Sequence, residues 1–356
     1  MTIILSKPHR AVDFKESAIK KALERAGSLD VEIKYDGVRV NLMVSPMEDG
    51  TPQPDAWFQT RESKPLASLD YLWTDSKAKE RWDFFLFKAG WPRGLMIDGE
   101  AMVKGVDFNT SSGILRTKWL KKNNFEFDEG GVPPLKGSKV PFQLATSKLQ
   151  VVVYAMLDMD TVKSGANGST HAITRMRTEA LVPMLQEHFP EIDWVLSHST
   201  TVYDMDELNT LYQAAREDKQ EGLIVLDPLG EYQRGKKTGM WKMKPDETID
   251  GTVVGLNWGT EGLANEGKVI GFDVLLENGM VVAANNISQA LMDEFTAKWL
   301  ETNTEDFMGT TAITPVNPYE GYQCEVSYME MTPDGSLRHP SFKCWRGTED
   351  NPTEKM

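Results

Sequence analysis

An α+β fold divided between two domains is what this sequence predicts, on three observations. Up to residue 244, apolar runs with the two-residue period of strands, LMIDGEAMV at 95–103 and LQVVVYAML at 149–157, alternate with helical patterns around 177–188 and 205–217. After Pro245 a polar stretch, DETIDG, gives way to a region that is mostly strands. A chain of 356 residues is also too long for one small core and suits two domains, with boundaries at 1–246 and 247–356.

The first helix follows Asp13 as N-cap with Glu16 three places on, carries Phe14, Ala18, Ala22 and Leu23 on one stripe, and stops at Gly27. In VEIKYDGVR, 31–39, Val31, Ile33 and Tyr35 alternate with Glu32, Lys34 and Asp36. Lys34 is therefore expected in mid-strand, on one face with two acids. Gly37 lets the backbone turn or lets another group approach closely. The same spacing puts Asp98 and Glu100 of the 95–103 strand on one face. EGLIVLDP follows at 221–228, and WKMK at 241–244 points Trp241 and Met243 one way, Lys242 and Lys244 the other.

Beyond the polar stretch, strands are predicted at GTVVGLNW from 251, VIGFDVLL from 269 and MVVAA from 280, the last two joined by the turn Asn278-Gly279. A helix spans roughly Ser288 to Leu300, and CEVSYMEM from 324 pairs with SLRHPSFKCW from 336 across Pro333-Asp334-Gly335. Five strands with a helix between the third and fourth is the layout of an OB-fold β-barrel, a frequent nucleic-acid binder.

No apolar run reaches the roughly 18 residues of a membrane helix, so the reading is a soluble, unexported protein. Cys324 and Cys344 are expected as free thiols, and His9, His171, His188, His198 and His339 lack zinc-site spacing. A net charge of −14 argues against a polyanionic partner when taken whole. Its distribution argues otherwise, because basic clusters occur at 104–122, 234–244 and 338–346.

Two segments imitate a phosphate-binding loop, GEYQRGKK from Gly230 and GLANEGKV from Gly262, but Lys237 and Val269 stand where a hydroxyl should hold magnesium. The other candidate is Lys34. A neutral lysine amine attacks phosphorus well, yet a pKa near 10.4 leaves only about one in 2,500 neutral at pH 7. Nearby cations such as Lys242 and Lys244, a magnesium ion and partial burial each disfavour the ammonium form.

KYDGVR at 34–39 resembles the K-x-D-G nucleophile motif of covalent nucleotidyltransferases. TRES at 60–63, IDGE at 97–100, the VVVYA strand around Tyr154, EGLIV from Glu221, WKMK, and RHPSF with Arg346 follow in the order seen in small ATP-dependent DNA ligases of the bacteriophage kind. The resemblance runs nearly end to end and implies a nucleotidyltransferase (adenylation) domain of antiparallel sheets with helices, followed by the OB-fold.

It implies Lys34 as the catalytic nucleophile toward ATP, and Arg10, Glu32, Ile33, Tyr35, Arg39, Arg61, Glu100, Tyr154, Lys242 and Lys244 as further ATP contacts. Within that set Tyr154 stacks on adenine, Glu32 accepts from the adenine amino group, Arg39 and Arg61 reach ribose or phosphate, and the two lysines neutralise the α-phosphate. Glu221, Glu100 and Asp36 are the implied Mg2+ ligands. Arg116, Lys118, Arg234, Lys236, Lys237, Lys268, Arg338 and Arg346 are the implied DNA contacts. The implied partner is nicked double-stranded DNA, the protein acting as a monomer in the cytoplasm of an infected host cell. Two departures from the family pattern are Leu226, where a lysine is usual, and Gly347-Thr348 after the last arginine. An mRNA guanylyltransferase, an RNA ligase and a non-enzymatic single-strand-binding OB protein remain alternative readings.

Overall fold

The computed structural model describes residues 4–46, 53–218, 220–244, 247–285, 287–304, 315–328, 330–331, 334–338, 340–348 and 350–355, and the chain divides into two compact units, Met1–Met243 and Lys244–Met356.

The first unit runs β1 (His9–Asp13), α1 (Glu16–Ala26), β2 (Leu29–Ile33), β3 (Val38–Pro46), β4 (Pro54–Thr60), α2 (Ser76–Ala89), β5 (Leu95–Val103) and α3 (Phe108–Leu115). It continues with β6 (Leu149–Asp158), α4 (Met159–Ser164), α5 (His171–His188), β7 (Asp193–Leu196), β8 (Ser199–Val202), α6 (Met205–Glu217), β9 (Leu223–Leu226) and β10 (Gly235–Met243). Two five-stranded sheets result, in the orders β1-β10-β9-β2-β8 and β4-β3-β5-β6-β7. Their ladders are antiparallel except for β1 with β10 and β6 with β7.

β5 is buried on both faces because its sheet is covered on both. On one side α2 and α5 bring Trp82, Phe85, Leu185 and Phe189 against Val40, Leu42 and Val153, with the Trp82 and Phe189 rings stacked at 3.8 Å. Burying each such side chain contributes about 3 kcal/mol. On the other side Met43, Met96, Ala155 and Leu157 pack with Tyr232. The other sheet, β1-β10-β9-β2-β8, is covered by α1 and α6, which bury Ile19, Ala22 and Leu208 against Leu29, Val31 and Val225.

Two expectations for this unit are corrected. Asp13 does not cap α1; β1 pairing sets it opposite Lys242, and it closes that strand as a partner of Lys236 and Lys242. The helix starts at Glu16 after an uncapped Lys15, Phe14 lies outside it and is exposed, and Gly27 ends it at φ 77° as expected. Nor does Lys34 lie within a strand: β2 ends at Ile33, and residues 34–37 form the connection to β3. There the Lys34 amide donates to the Gly222 carbonyl at 2.9 Å, and a Cβ on Gly37 would come within 2.8 Å of the Ala101 carbonyl on β5. Of the two roles foreseen for Gly37, close approach is the one it fills.

The second unit contains β11 (Glu247–Trp258), β12 (Val269–Leu276), β13 (Val281–Ala284), α7 (Gln289–Thr304), β14 (Gln323–Tyr328), β15 (Glu330–Met331), β16 (Leu337–Arg338) and β17 (Ser341–Trp345). Five strands form one sheet, β13-β12-β11-β14-β17, with α7 between the third and fourth as foreseen. Its edge strands meet at one parallel bridge, Asn285 to Ser341, and no continuous ladder closes the barrel among the described residues. Phe272, Phe295, Phe342 and Trp345 form the aromatic centre.

The polar stretch 247–251 is the start of β11, since Glu247 to Gly251 are laddered to β14. The expected hairpin of 324–345 is split, β14 pairing with β17 and β15 with β16. Pro245, Pro333, His339 and the side chain of Arg338 fall outside the described residues. Cys324 and Cys344 are free thiols, the first buried.

Candidate active site

The connection after β2 carries Lys34 to Glu221, just ahead of β9, and their side chains form an ion pair with Lys34 a quarter exposed and Glu221 almost shut off from solvent. The backbone bond from Lys34 to Gly222 fixes the same approach. Across the β3/β5 ladder, Arg39 stands opposite Glu100 and Asn41 opposite Asp98, so the four share one face. Glu100 is buried and accepts from the Tyr154 hydroxyl at 3.3 Å. Burial pushes its carboxyl up to about 7; the cations Arg39 and Lys34 oppose that shift and the charge of Glu221 adds to it. Two carboxylates thus feel each other beside one lysine.

Arg39 borders the same face. Its fork is committed to Asp98, Nε to Oδ1 and Nη2 to Oδ2 at 2.7 Å each, and its guanidinium lies 4.5 Å from the centre of the Tyr154 ring. Asp98 also accepts from Asn41 at 2.9 Å and from the Tyr232 hydroxyl at 2.6 Å. Tyr35 stands 6.3 Å from Tyr154, ring to ring. Glu32, buried at the end of β2 beside half-buried Ile33, faces Arg175 at 3.4 Å.

Lys242 is opposite Ile224 of β9 and pairs with Asp13 at 3.0 Å; that contact is the main reason the Asp13 carboxyl lies below its ordinary range. Lys244 follows β10 as the first residue of the second unit. Asp36 lines a cleft of about 260 Å³ with Met102, Lys104, Phe108 and Gln150. Arg10 is exposed on β1, and Arg61 is exposed after β4 and paired with Glu62 at 3.3 Å.

Of the implied DNA contacts in this unit, Arg116 is exposed after α3, Lys118 lies over the Trp119 ring at 5.2 Å, Lys236 pairs with Asp13, and Lys237 is exposed. The Arg234 guanidinium donates to the carbonyls of Ser6, Thr161, Val162 and Ala166. In the second unit Lys268 pairs with Asp293 and Arg346 with Asp250.

Sequence reasoning passed over Asp98, Arg175 and Ser197 as site residues. Asp98 had a signal, a charged residue inside an apolar strand; Arg175 had none, its partner lying 143 positions away.

Residues 8–244 match the family described as ATP dependent DNA ligase domain, and residues 245–346 the DNA ligase C-terminal domain. The chain is 50% identical to the DNA ligase of Escherichia phage T7 and 48% identical to that of Enterobacteria phage T3, over the full length of both partners in each case. It is also similar to a solved structure of the ATP-dependent DNA ligase from bacteriophage T7 in complex with ATP, with 48% identity, a TM-score of 0.63, and coverage of 97% of this chain and 100% of that one.

Proposed function

Since this chain belongs to the ATP-dependent DNA ligases and joins DNA at the expense of ATP, we propose that it seals nicks in duplex DNA through an adenylyl group carried on Lys34. The observation that carries this reading is the meeting of Lys34 with Glu221 and Glu100 in one half-buried place. The guanylyltransferase, RNA-ligase and non-enzymatic readings are not favoured by the relatives.

Lys34 rests in an ion pair with Glu221. Attack needs the neutral amine, so the Glu221 carboxylate in contact with Nζ takes the ammonium proton as the first bond forms. The Nζ–Pα bond of ATP then forms as pyrophosphate departs. Next an oxygen of the 5′-phosphate at the nick attacks Pα and the Nζ–Pα bond breaks. Finally the 3′-hydroxyl attacks the activated phosphorus and AMP leaves. All three are phosphoryl-type transfers, in which alignment and charge neutralisation do most of the catalysis. Lys242, held beside β9 by Asp13, and Lys244 are assigned to the α-phosphate, Tyr154 and Tyr35 to the base, and Glu32 with the Ile33 backbone to the adenine edge. The exposed cations Arg116, Lys118, Lys236 and Lys237 are assigned to the DNA, with Arg10 and Arg61 on phosphate oxygens.

Among the described residues no three His, Cys, Asp or Glu side chains form a ready metal cage. Mg2+ is ordinarily held by one or two carboxylates together with substrate phosphates, and Glu221 with Glu100 fits that donor set, the charge conflict between them being what a divalent cation relieves. Asp36 belongs to the same proposal as an outlying ligand. When bound, the ion would neutralise charge developing on the phosphates.

Residues 1–246 are assigned to adenylation and 247–356 to an OB-type DNA-gripping part, supported by the two compact units and the two family matches. A monomer in the cytoplasm of an infected cell is in keeping with the phage relatives, and no described helix is long and apolar enough to cross a membrane. The test is sealing of a 5′-labelled nicked duplex. ATP with Mg2+ should yield the joined strand from a species that sediments as one chain. Joining that persists in a chelator, or that prefers an RNA nick, overturns the reading.

A further inference from the structure

We propose that Arg175 is a specificity-determining residue, acting through Glu32 to make the site prefer adenine over guanine. The inference rests on the reading of Glu32 as the acceptor for the adenine amino group.

Arg175 sits in the second turn of α5 and is tied on two sides. Its Nε donates to Glu179 at 2.6 Å, and its Nη1 donates to the Ser197 carbonyl at 2.9 Å and to the Ser197 hydroxyl at 3.0 Å. The same Nη1 faces Glu32 Oε1 at 3.4 Å. Both side chains are withdrawn from solvent, Arg175 to 19% exposure and Glu32 to 9%. Ser197 is itself anchored, its amide donating to the Val153 carbonyl at 3.0 Å. One oxygen of Glu32 is thus fixed from α5, with Lys34 two residues further along the chain.

The ionic state of Glu32 decides which base it can accept. A carboxylate only accepts hydrogen bonds, which suits the amino group on C6 of adenine and repels the O6 of guanine; a carboxylic acid can donate and so tolerates guanine. Burial works against the charged form and pushes Glu32 up to about 7. The Arg175 charge is the leading influence in the other direction, followed by the Ser197 hydrogen bond and Arg39, while Asp30 works with burial. Tyr154 completes the surroundings. Removing the Arg175 cation leaves a buried carboxyl free to protonate and to turn.

The experiment measures initial rates of covalent labelling of the full-length protein by ATP and by GTP, each labelled at the α-phosphate, with Mg2+. The ratio of the two rates is the readout, because loss of folded protein lowers both equally. Wild type, Glu32→Gln, Arg175→Gln and Arg175→Lys are compared. We expect Glu32→Gln to lose most of the ATP preference and Arg175→Gln to lose about fivefold of it at pH 7, because with Glu32 at about 7 roughly half is ionised and a further rise of about one unit leaves about a tenth. Arg175→Lys, which keeps the charge, should retain most of it. If Glu32→Gln loses the preference while Arg175→Gln keeps it, the role of Arg175 is overturned and the reading of Glu32 stands. If Glu32→Gln keeps the preference, the reading of Glu32 falls and takes this inference with it. Should Arg175→Gln not fold, Arg175→Lys together with Ser197→Ala decides: wild-type preference in Ser197→Ala and none in Arg175→Lys contradicts a role carried by charge.

Discussion

Arg39 and Asp98 meet as a two-pronged ion pair, Nε to Oδ1 and Nη2 to Oδ2 at 2.7 Å each, with Asp98 completely removed from solvent. Breaking a buried pair from one side leaves the other charge uncompensated, which costs about 3–5 kcal/mol. Asp98→Asn keeps the volume and removes the charge. Its unfolding free energy from urea titration should fall by about 3 kcal/mol; an unchanged value would show that the pair contributes nothing net.

The buried histidines give a pH dependence. His9 and His171 stack at 5.3 Å, and burial, helped by the neighbouring His171, lowers His9 to about 4. The folded state therefore binds fewer protons than the unfolded state between pH 4 and about 6.5, so stability falls as pH drops through that window. His9→Gln should flatten the fall, which for His9 alone amounts to roughly 3 kcal/mol. The check is unfolding free energy measured from pH 4 to 7. Glu32, pushed up to about 7, contributes the opposite slope, stability falling as pH rises from about 4.5 to 7. For that reason the difference between variant and wild type is the quantity to follow.

Phe272, fully buried among Phe295, Tyr319, Phe342 and Trp345, is central to the second unit. Phe272→Ala should destabilise that unit by about 3–5 kcal/mol. Calorimetry of the whole chain should then show one transition moved down and the transition of Met1–Met243 in place. A uniform shift of all unfolding would contradict the division into separately cooperative parts.

Much of this arrangement could be read along the chain, and what could not has identifiable causes. Period-two patterns located β5, β6 and β10, and Asn278-Gly279 located the β12/β13 turn, because those signals are local. The alternation through Lys34 misled: a strand pattern continues there, but the backbone leaves the sheet to reach Gly222, a contact across most of the unit's sequence. Asp13 looked like a helix cap until pairing set it against Lys242 on β10, and the partner of Arg39, Asp98, is supplied by β5. In each case a distant strand provided the partner.

Lys242 is a quarter exposed and steadied by Asp13, itself well exposed. Lys242→Ala should lower the rate of self-adenylylation by about a hundredfold, as loss of a charge-stabilising donor does. Asp13→Asn should leave stability within about 0.5 kcal/mol. Rapid-quench labelling and urea unfolding distinguish the two effects.

The covalent step can be observed directly by digesting the protein after incubation with ATP and Mg2+ and locating added mass by tandem mass spectrometry. One adenylyl group on the side-chain nitrogen of Lys34, discharged by nicked duplex and absent from Lys34→Ala, is the expected result. An adenylyl group on another residue, or a Lys34→Ala protein that still takes one up, would contradict the assignment of Lys34 as the nucleophile.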